Sequence, residues 1–135
     1  MELELQVRRI GPGPPTVGGG VEAAADFLRH PTTAVIAYND RVAIGVTRGL
    51  TAAGALVPKD VSVVGFDNIF AADLVTPPLT TVAAPLNAMG LTAVRNLLAI
   101  IGGARPRATE PISLPSRLVV RASTAPARRA RIWPG

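Results

Sequence analysis

Ala34-Val35-Ile36-Ala37-Tyr38-Asn39-Asp40 is a short, uninterrupted apolar run that stops on an amide and a carboxylate. Such runs suit strands of a parallel sheet, whose two faces are both covered by helices. The residues that follow, Val42, Ala43, Val46, Leu50 and Ala53, recur at helical spacing, and Asn39 or Asp40 can cap that helix. Gly54 is a good stop for it. A turn through Pro58 and Asp60 then leads to a second apolar run, Val61-Ser62-Val63-Val64-Gly65-Phe66, which ends on Asp67-Asn68.

Working back toward the start, Pro31 closes a helix expected over Val17 to Arg29, capped by Thr16, with Val21, Ala24, Ala25 and Leu28 on its apolar face. Before it, Gly11-Pro12-Gly13-Pro14-Pro15 breaks regular structure, and Leu3, Leu5 and Val7 alternate with polar residues as in a strand. The order strand, helix, strand, helix, strand with short connections predicts a parallel α/β sheet. Ligands of such sheets bind beyond the carboxyl ends of the strands. Two of the expected strand ends carry polar groups there, Asn39-Asp40 and Asp67-Asn68.

Working forward, Thr76-Pro77-Pro78-Leu79-Thr80-Thr81-Val82 is a rigid connection into a short extended segment. Pro85 suits the first turn of a helix whose apolar positions are Leu86, Met89, Ala93, Val94, Leu97, Leu98 and Ile101, and Gly102-Gly103 ends it. Pro111 to Leu114 and Arg117 to Val120 read as short strands, and the tail beyond about Thr124 as frayed. No internal repeat is found.

Composition narrows the functional classes. The 135 residues suffice for one compact domain, and 48% hydrophobic with 17% charged residues fits a packed core. With no cysteine, disulfides and thiolate metal sites are excluded. His30 stands alone, which argues for a solvated loop histidine over a triad or a metal ligand. The net charge of +5 raises the question of nucleic acid. However, all but Lys59 of the 14 basic residues are arginines. They are scattered apart from Arg8-Arg9 and Arg128-Arg129-Ala130-Arg131, with few aromatics between them for base stacking. Gly18-Gly19-Gly20 lacks the Lys and Ser/Thr of a phosphate loop. No apolar run approaches the ~20 residues of a membrane span. The first residues lack the pattern of a secretory signal, so a cytoplasmic chain without membrane contact is expected.

Three readings fit the strand-end carboxylates. Asn39, Asp40 and Asp67 could line a cleft whose carboxylates and amide match the hydroxyls of a sugar-like ligand. Asp40 and Asp67 could form a glycosidase acid/base pair. Or Asn39 is only a helix cap and Asp67 only a turn residue, which spacing alone favours.

Several blocks, in order, resemble the effector-binding domain of LacI/GalR-type transcription regulators. They are Pro31-Thr32-Thr33-Ala34-Val35-Ile36-Ala37-Tyr38-Asn39-Asp40 with Ala43-Ile44-Gly45, then Pro58 through Asn68, then Pro77-Pro78-Leu79-Thr80-Thr81-Val82 with Gly90 and Ala93, and finally Arg121-Ala122-Ser123-Thr124. The resemblance spans roughly residues 16 to 126. It implies a three-layer, periplasmic-binding-protein-like (Rossmann-like) α/β lobe, incomplete, with an appended C-terminal helix and short strands. The expected division is residues 1–82 as part of the C-terminal lobe, 83–124 as crossover, helix and terminal strands, and 125–135 as a tail.

By the same resemblance Asn39 and Asp67 contact a sugar-like effector, with Asp40 and Leu86 as further candidates. Ile44 and Val75 match positions at a homodimer interface. No catalysis, metal or cofactor is implied. Contact with DNA would belong to an N-terminal head that has no counterpart in these residues. The helix from Pro85 belongs, in the family, to the other lobe, so its apolar stripe is expected to be exposed here. A fragment of a solute-binding protein of a sugar transporter shares the fold and is the alternative. On this reading the purified chain is expected to bind neither operator DNA nor sugar tightly. Fluorescence anisotropy on labelled duplexes checks the first half, and sub-micromolar sequence-specific binding would contradict it.

Overall fold

A computed structural model describes residues 6–103 and 114–127. Its elements in chain order are α1 (Val17–Arg29), β1 (Ala34–Ile36), α2 (Asp40–Ala52), β2 (Ser62–Phe66), α3 (Ala71–Leu74), β3 (Thr80–Ala83), α4 (Leu86–Ile101) and β4 (Arg117–Val119). The strands form one sheet in the order β1-β2-β3-β4. The first three are parallel, and β4 runs antiparallel to β3. The α/β class and the boundaries of the first helix agree with the sequence reading.

Local chemistry accounts for the helix starts. The Thr16 hydroxyl accepts from the Gly19 amide at 3.1 Å, and the Asn39 side chain accepts from the Val42 amide at 2.8 Å. Each satisfies a donor that the first helical turn leaves unpaired.

The core lies on one face of the sheet. Ala43, Ile44, Val46 and Leu50 of α2 pack with Ala24 and Phe27 of α1 and with Val63 of β2. The two helices approach closely enough to touch through glycine. A Cβ on Gly45 would lie 2.8 Å from the Gly20 Cα and would run into the Val17 carbonyl oxygen. Only hydrogen fits there, which is why this otherwise unfavourable helical residue is tolerated.

Several expectations need correction. The strand expected near Leu3 to Val7 is not formed over the described part. Gln6–Ile10 join no ladder and Val7 is 87% exposed, while residues 1–5 lie outside the described residues. Alternation sets which face a strand would bury, but a strand exists only through pairing, and Val7 has no partner among the described residues. The strand expected over Pro111 to Leu114 falls on residues 111–113, outside the described residues, and Leu114 is not in a strand.

The apolar runs are also less buried than a sheet covered on both faces would make them. In β1, Ala34 and Ile36 are exposed and Val35 half-buried. Val63 and Gly65 of β2 face α2, whereas Phe66, in register with Val82 and through it with Leu118, lies on the opposite side. Ile36 (81% exposed), Phe66 (40%) and Leu118 (58%) mark that side as open. The described residues thus form two of the three expected layers. Among them no helix covers the second face.

The long helix α4 buries none of its residues. Leu86, Met89, Leu91, Val94, Leu97, Leu98, Ile100 and Ile101 are all about half exposed or more, and at helical spacing they occupy more than half its circumference. A helix apolar over so wide an arc is built to be embedded rather than solvated. The exposed stripe expected from the sequence is therefore present.

Gly45→Ala should lower stability by about 2 kcal/mol, the cost of forcing two packed helices apart. Gly90→Ala on α4, where a Cβ meets nothing within 4 Å, should raise it by up to about 1 kcal/mol. Urea unfolding followed by circular dichroism measures both.

Candidate functional site

The parallel register brings the two polar strand ends to one level. Ile36 pairs with Val64, and the Ala37 amide still bonds to the Val64 carbonyl at 2.8 Å. Asn39 and Asp67 each stand three residues beyond that pair, past the ends of adjacent strands. Neighbouring strands lie about 4.8 Å apart. Asp67 in turn is tied to β3, its amide donating to the Val82 carbonyl at 2.9 Å. Four residues past Val82 begins α4, with Leu86 at its first turn and 52% exposed. Asn39, Asp67 and Leu86 therefore share the carboxyl edge of the sheet.

The two polar groups differ in what they have left to offer. The Asn39 carbonyl oxygen is spent on the Val42 amide, while its NH2 makes only a long contact of 3.5 Å to the Pro15 carbonyl. A bond that long is weak, so the donors stay available to a ligand. Asp67 is half-buried, and the ion pairs of the described residues engage Asp26 and Asp73 instead. Its backbone has φ 102°, and Asn68 follows at φ 54°. Positive φ at two successive non-glycine residues costs about 1–3 kcal/mol each where the region is sparsely populated, and such strain gathers at binding sites.

Asp40 has another role. It is 0% exposed, and both its carboxylate oxygens are occupied. Oδ1 accepts from the Thr81 hydroxyl at 2.5 Å and Oδ2 from the Ile69 amide at 2.8 Å. The Thr81 oxygen accepts in turn from the Asn68 amide at 3.3 Å. Gly65 makes room for this carboxylate, because a Cβ there would collide with Asp40 Oδ1 and come within 2.9 Å of Leu79 Cδ2. A carboxylate so enclosed has no surface to present to a sugar or to a scissile bond. Asp40 is a buried clamp that holds the loop after β2 against the start of α2, and it leaves the set of ligand candidates on that ground. The Asp40–Asp67 acid/base pair loses one member for the same reason.

Of the two expected interface residues, Ile44 is only 6% exposed and belongs to the core beneath α2. Helical spacing places it on the packed stripe, so it presents no surface to a second copy. Val75, at the end of α3, is half-buried against the same core.

Sequence reasoning assigned no role to Thr81, Ser123 or Arg121, although all three lie in the blocks that carried the family resemblance. Ser123 is 1% exposed. Its hydroxyl donates to the Val63 carbonyl at 2.6 Å and accepts from the Thr80 amide at 2.8 Å. It thereby joins β2 and β3 where their own ladder has not yet begun. Nothing in the periodicity pointed to these residues, because their partners are more than 40 positions away in the chain.

The periplasmic binding protein-like domain model matches residues 2–124. The chain belongs to that family. It is 46% identical over 118 residues to the HTH-type transcriptional regulator MalR of Streptomyces coelicolor, covering 86% of this chain and 34% of the regulator. The chain thus spans about a third of the length of these curated relatives. A LacI family transcriptional regulator from Enterococcus faecium, solved with bound ribose, superposes with a TM-score of 0.78 at 38% identity, over 87% of this chain and 43% of that one. Another from Arthrobacter, in complex with lactose, gives 0.74 at 38% identity, over 84% and 43%. The LacI-type resemblance and the periplasmic-binding-protein-like α/β fold both hold, and the chain corresponds to a portion of the effector domain of such regulators. No helix among the described residues is long and apolar enough to cross a membrane.

Asp40→Asn should destabilise the fold by about 1–3 kcal/mol, because charge-assisted bonds are lost and the Thr81 hydroxyl must turn to accept from the new NH2. Thr81→Val should cost a similar amount and Thr81→Ser much less, since serine keeps the hydroxyl. Chemical denaturation of the three variants checks this order.

Proposed function

We propose that this chain is part of the effector-binding domain of a LacI-type transcription regulator and contributes Asn39 and Asp67 to a site for a sugar-like ligand. The observation that carries the reading is the pairing, at one level of the carboxyl edge, of a weakly engaged donor with an acceptor that has no partner among the described residues. The Asn39 NH2 can donate to a hydroxyl oxygen, and the Asp67 carboxylate can accept hydroxyl protons as a charged partner. Leu86, exposed at the same edge, supplies an apolar surface for a ring face. The ribose and lactose held by the similar regulators are compatible with this chemistry.

The open sheet face and the uncovered arc of α4 are what neighbouring layers of a two-lobed effector domain would cover. Residues 1–82 then belong to one lobe and 83–124 to the crossover and the other. Binding between lobes would shift the population of lobe arrangements, and through it a dimer in which Val75 meets the second copy. DNA contact is assigned to the part of the regulator outside the matched third, acting in the cytoplasm. No observation favours an enzyme or a transporter component, and the matched relatives are regulators.

Titration of the 15N-labelled chain with ribose, maltose and lactose tests the reading, since chemical shifts register millimolar affinity. Asn39, Asp67 and their neighbours should move with at least one sugar. Asp67→Asn should weaken that response by tenfold or more. Shifts spread elsewhere, or unchanged in the variant, would overturn the assignment.

A further inference from the structure

We infer that Arg121 is the positioning residue of this ligand site, acting through Asn68 to hold the Asp67 carboxylate in place. The inference rests on the proposed role of Asp67 in ligand binding.

The Arg121 side chain is 18% exposed and binds three acceptors on three separate segments. NH1 donates to the Leu79 carbonyl ahead of β3 at 2.8 Å, NH2 donates to Asn68 Oδ1 at 2.9 Å, and Nε lies 3.1 Å from Asp73 Oδ1 on α3. Its backbone amide donates to the Thr80 hydroxyl at 2.9 Å. A planar guanidinium has donors in a fixed fork, so bonding to three segments sets their relative positions. Lysine, a point charge on a flexible stem, cannot reproduce that arrangement.

What this fork holds is the strained turn. The amides of Asp67, Asn68 and Ile69 are fastened to Val82, Thr81 and Asp40, all within the β2–β3 neighbourhood or at the start of α2. Those bonds reach the turn's backbone; its Asn68 side chain is held, among the described residues, by Arg121, two residues beyond the end of β4. Each branch of the guanidinium is already engaged, which makes Arg121 a group that holds the site and not one that grips the ligand. Without the tie, only the backbone-amide bonds hold Asp67 and Asn68 at positive φ, so the strained turn can shift toward ordinary backbone conformations and carry the carboxylate away from Asn39.

The test is the same sugar titration, at a temperature well below unfolding, on Arg121→Lys, Asn68→Gly and Asn68→Asp. Glycine tolerates the positive φ but removes the acceptor, whereas aspartate keeps an acceptor for the guanidinium. Arg121→Lys and Asn68→Gly should weaken binding fivefold or more, with the Asp67 amide resonance displaced. Asn68→Asp should stay within about twofold of the parent, a rescue that loss of stability alone would not produce. If Arg121→Lys fails to fold, the contrast between the two Asn68 variants decides.

Wild-type affinity and an unmoved Asp67 resonance in both Arg121→Lys and Asn68→Gly would overturn the inference while leaving the proposed function intact. If no sugar shifts the parent chain, the functional reading fails. The Asp67 resonance then judges the positioning role by itself: displaced in both variants it stands, unmoved it falls.

Discussion

The fold turns on one buried carboxylate. Asp40 begins α2, yet its side chain reaches across the sheet to the Thr81 hydroxyl on β3 and the Ile69 amide after β2. An ion taken out of water is tolerated only where hydrogen bonds replace its hydration. Here the replacement has a geometric condition, the absence of a side chain at Gly65, over which the carboxylate passes. The constraint spreads outward from there. Because Asp40 must point inward, Asn39 is left at the mouth of the helix as its cap. Because Ile69 and Asn68 are drawn toward Asp40 and Thr81, the chain leaving β2 must turn sharply at Asp67.

This arrangement separates two carboxylates that look alike in sequence. Both follow an apolar strand and both are flanked by asparagine. Asp40 gives up its oxygens to hold the architecture, and Asp67 is kept half-exposed on strained backbone by that same architecture. The segment around Ser123 completes the frame by joining β2 to β3 from below. The proposed site is thus rigid on one side, as a binding surface must be if ordering it is not to consume the ligand's binding energy.

The uncovered surfaces belong to the same picture. Helices α1 and α2 pack on one face of the sheet, and α4 stands with its apolar arc open. Close contact between α1 and α2 through glycine concentrates the packing that exists in one layer. The half-site on the carboxyl edge is accordingly better defined than the faces around it.

Much of this was legible in the chain itself. Local rules determined the extent of α1, the cap at Thr16, a cap at Asn39 or Asp40, the apolar strands ending in Asn39-Asp40 and Asp67-Asn68, and the apolar stripe of α4. These depend on contacts a few residues apart, which spacing encodes. The blocks of family resemblance nominated Asn39 and Asp67 together, and the register brings both to the carboxyl edge. Tertiary structure alone decided that Asp40 is a clamp, that Ile44 is core, that residues 6–10 find no strand partner among the described residues, and that Arg121 reaches Asn68. Each of these depends on which distant groups meet, on burial and on unpaired hydrogen bonds. Such meetings leave no period in the sequence, because they are set by how the elements stack and not by how they repeat.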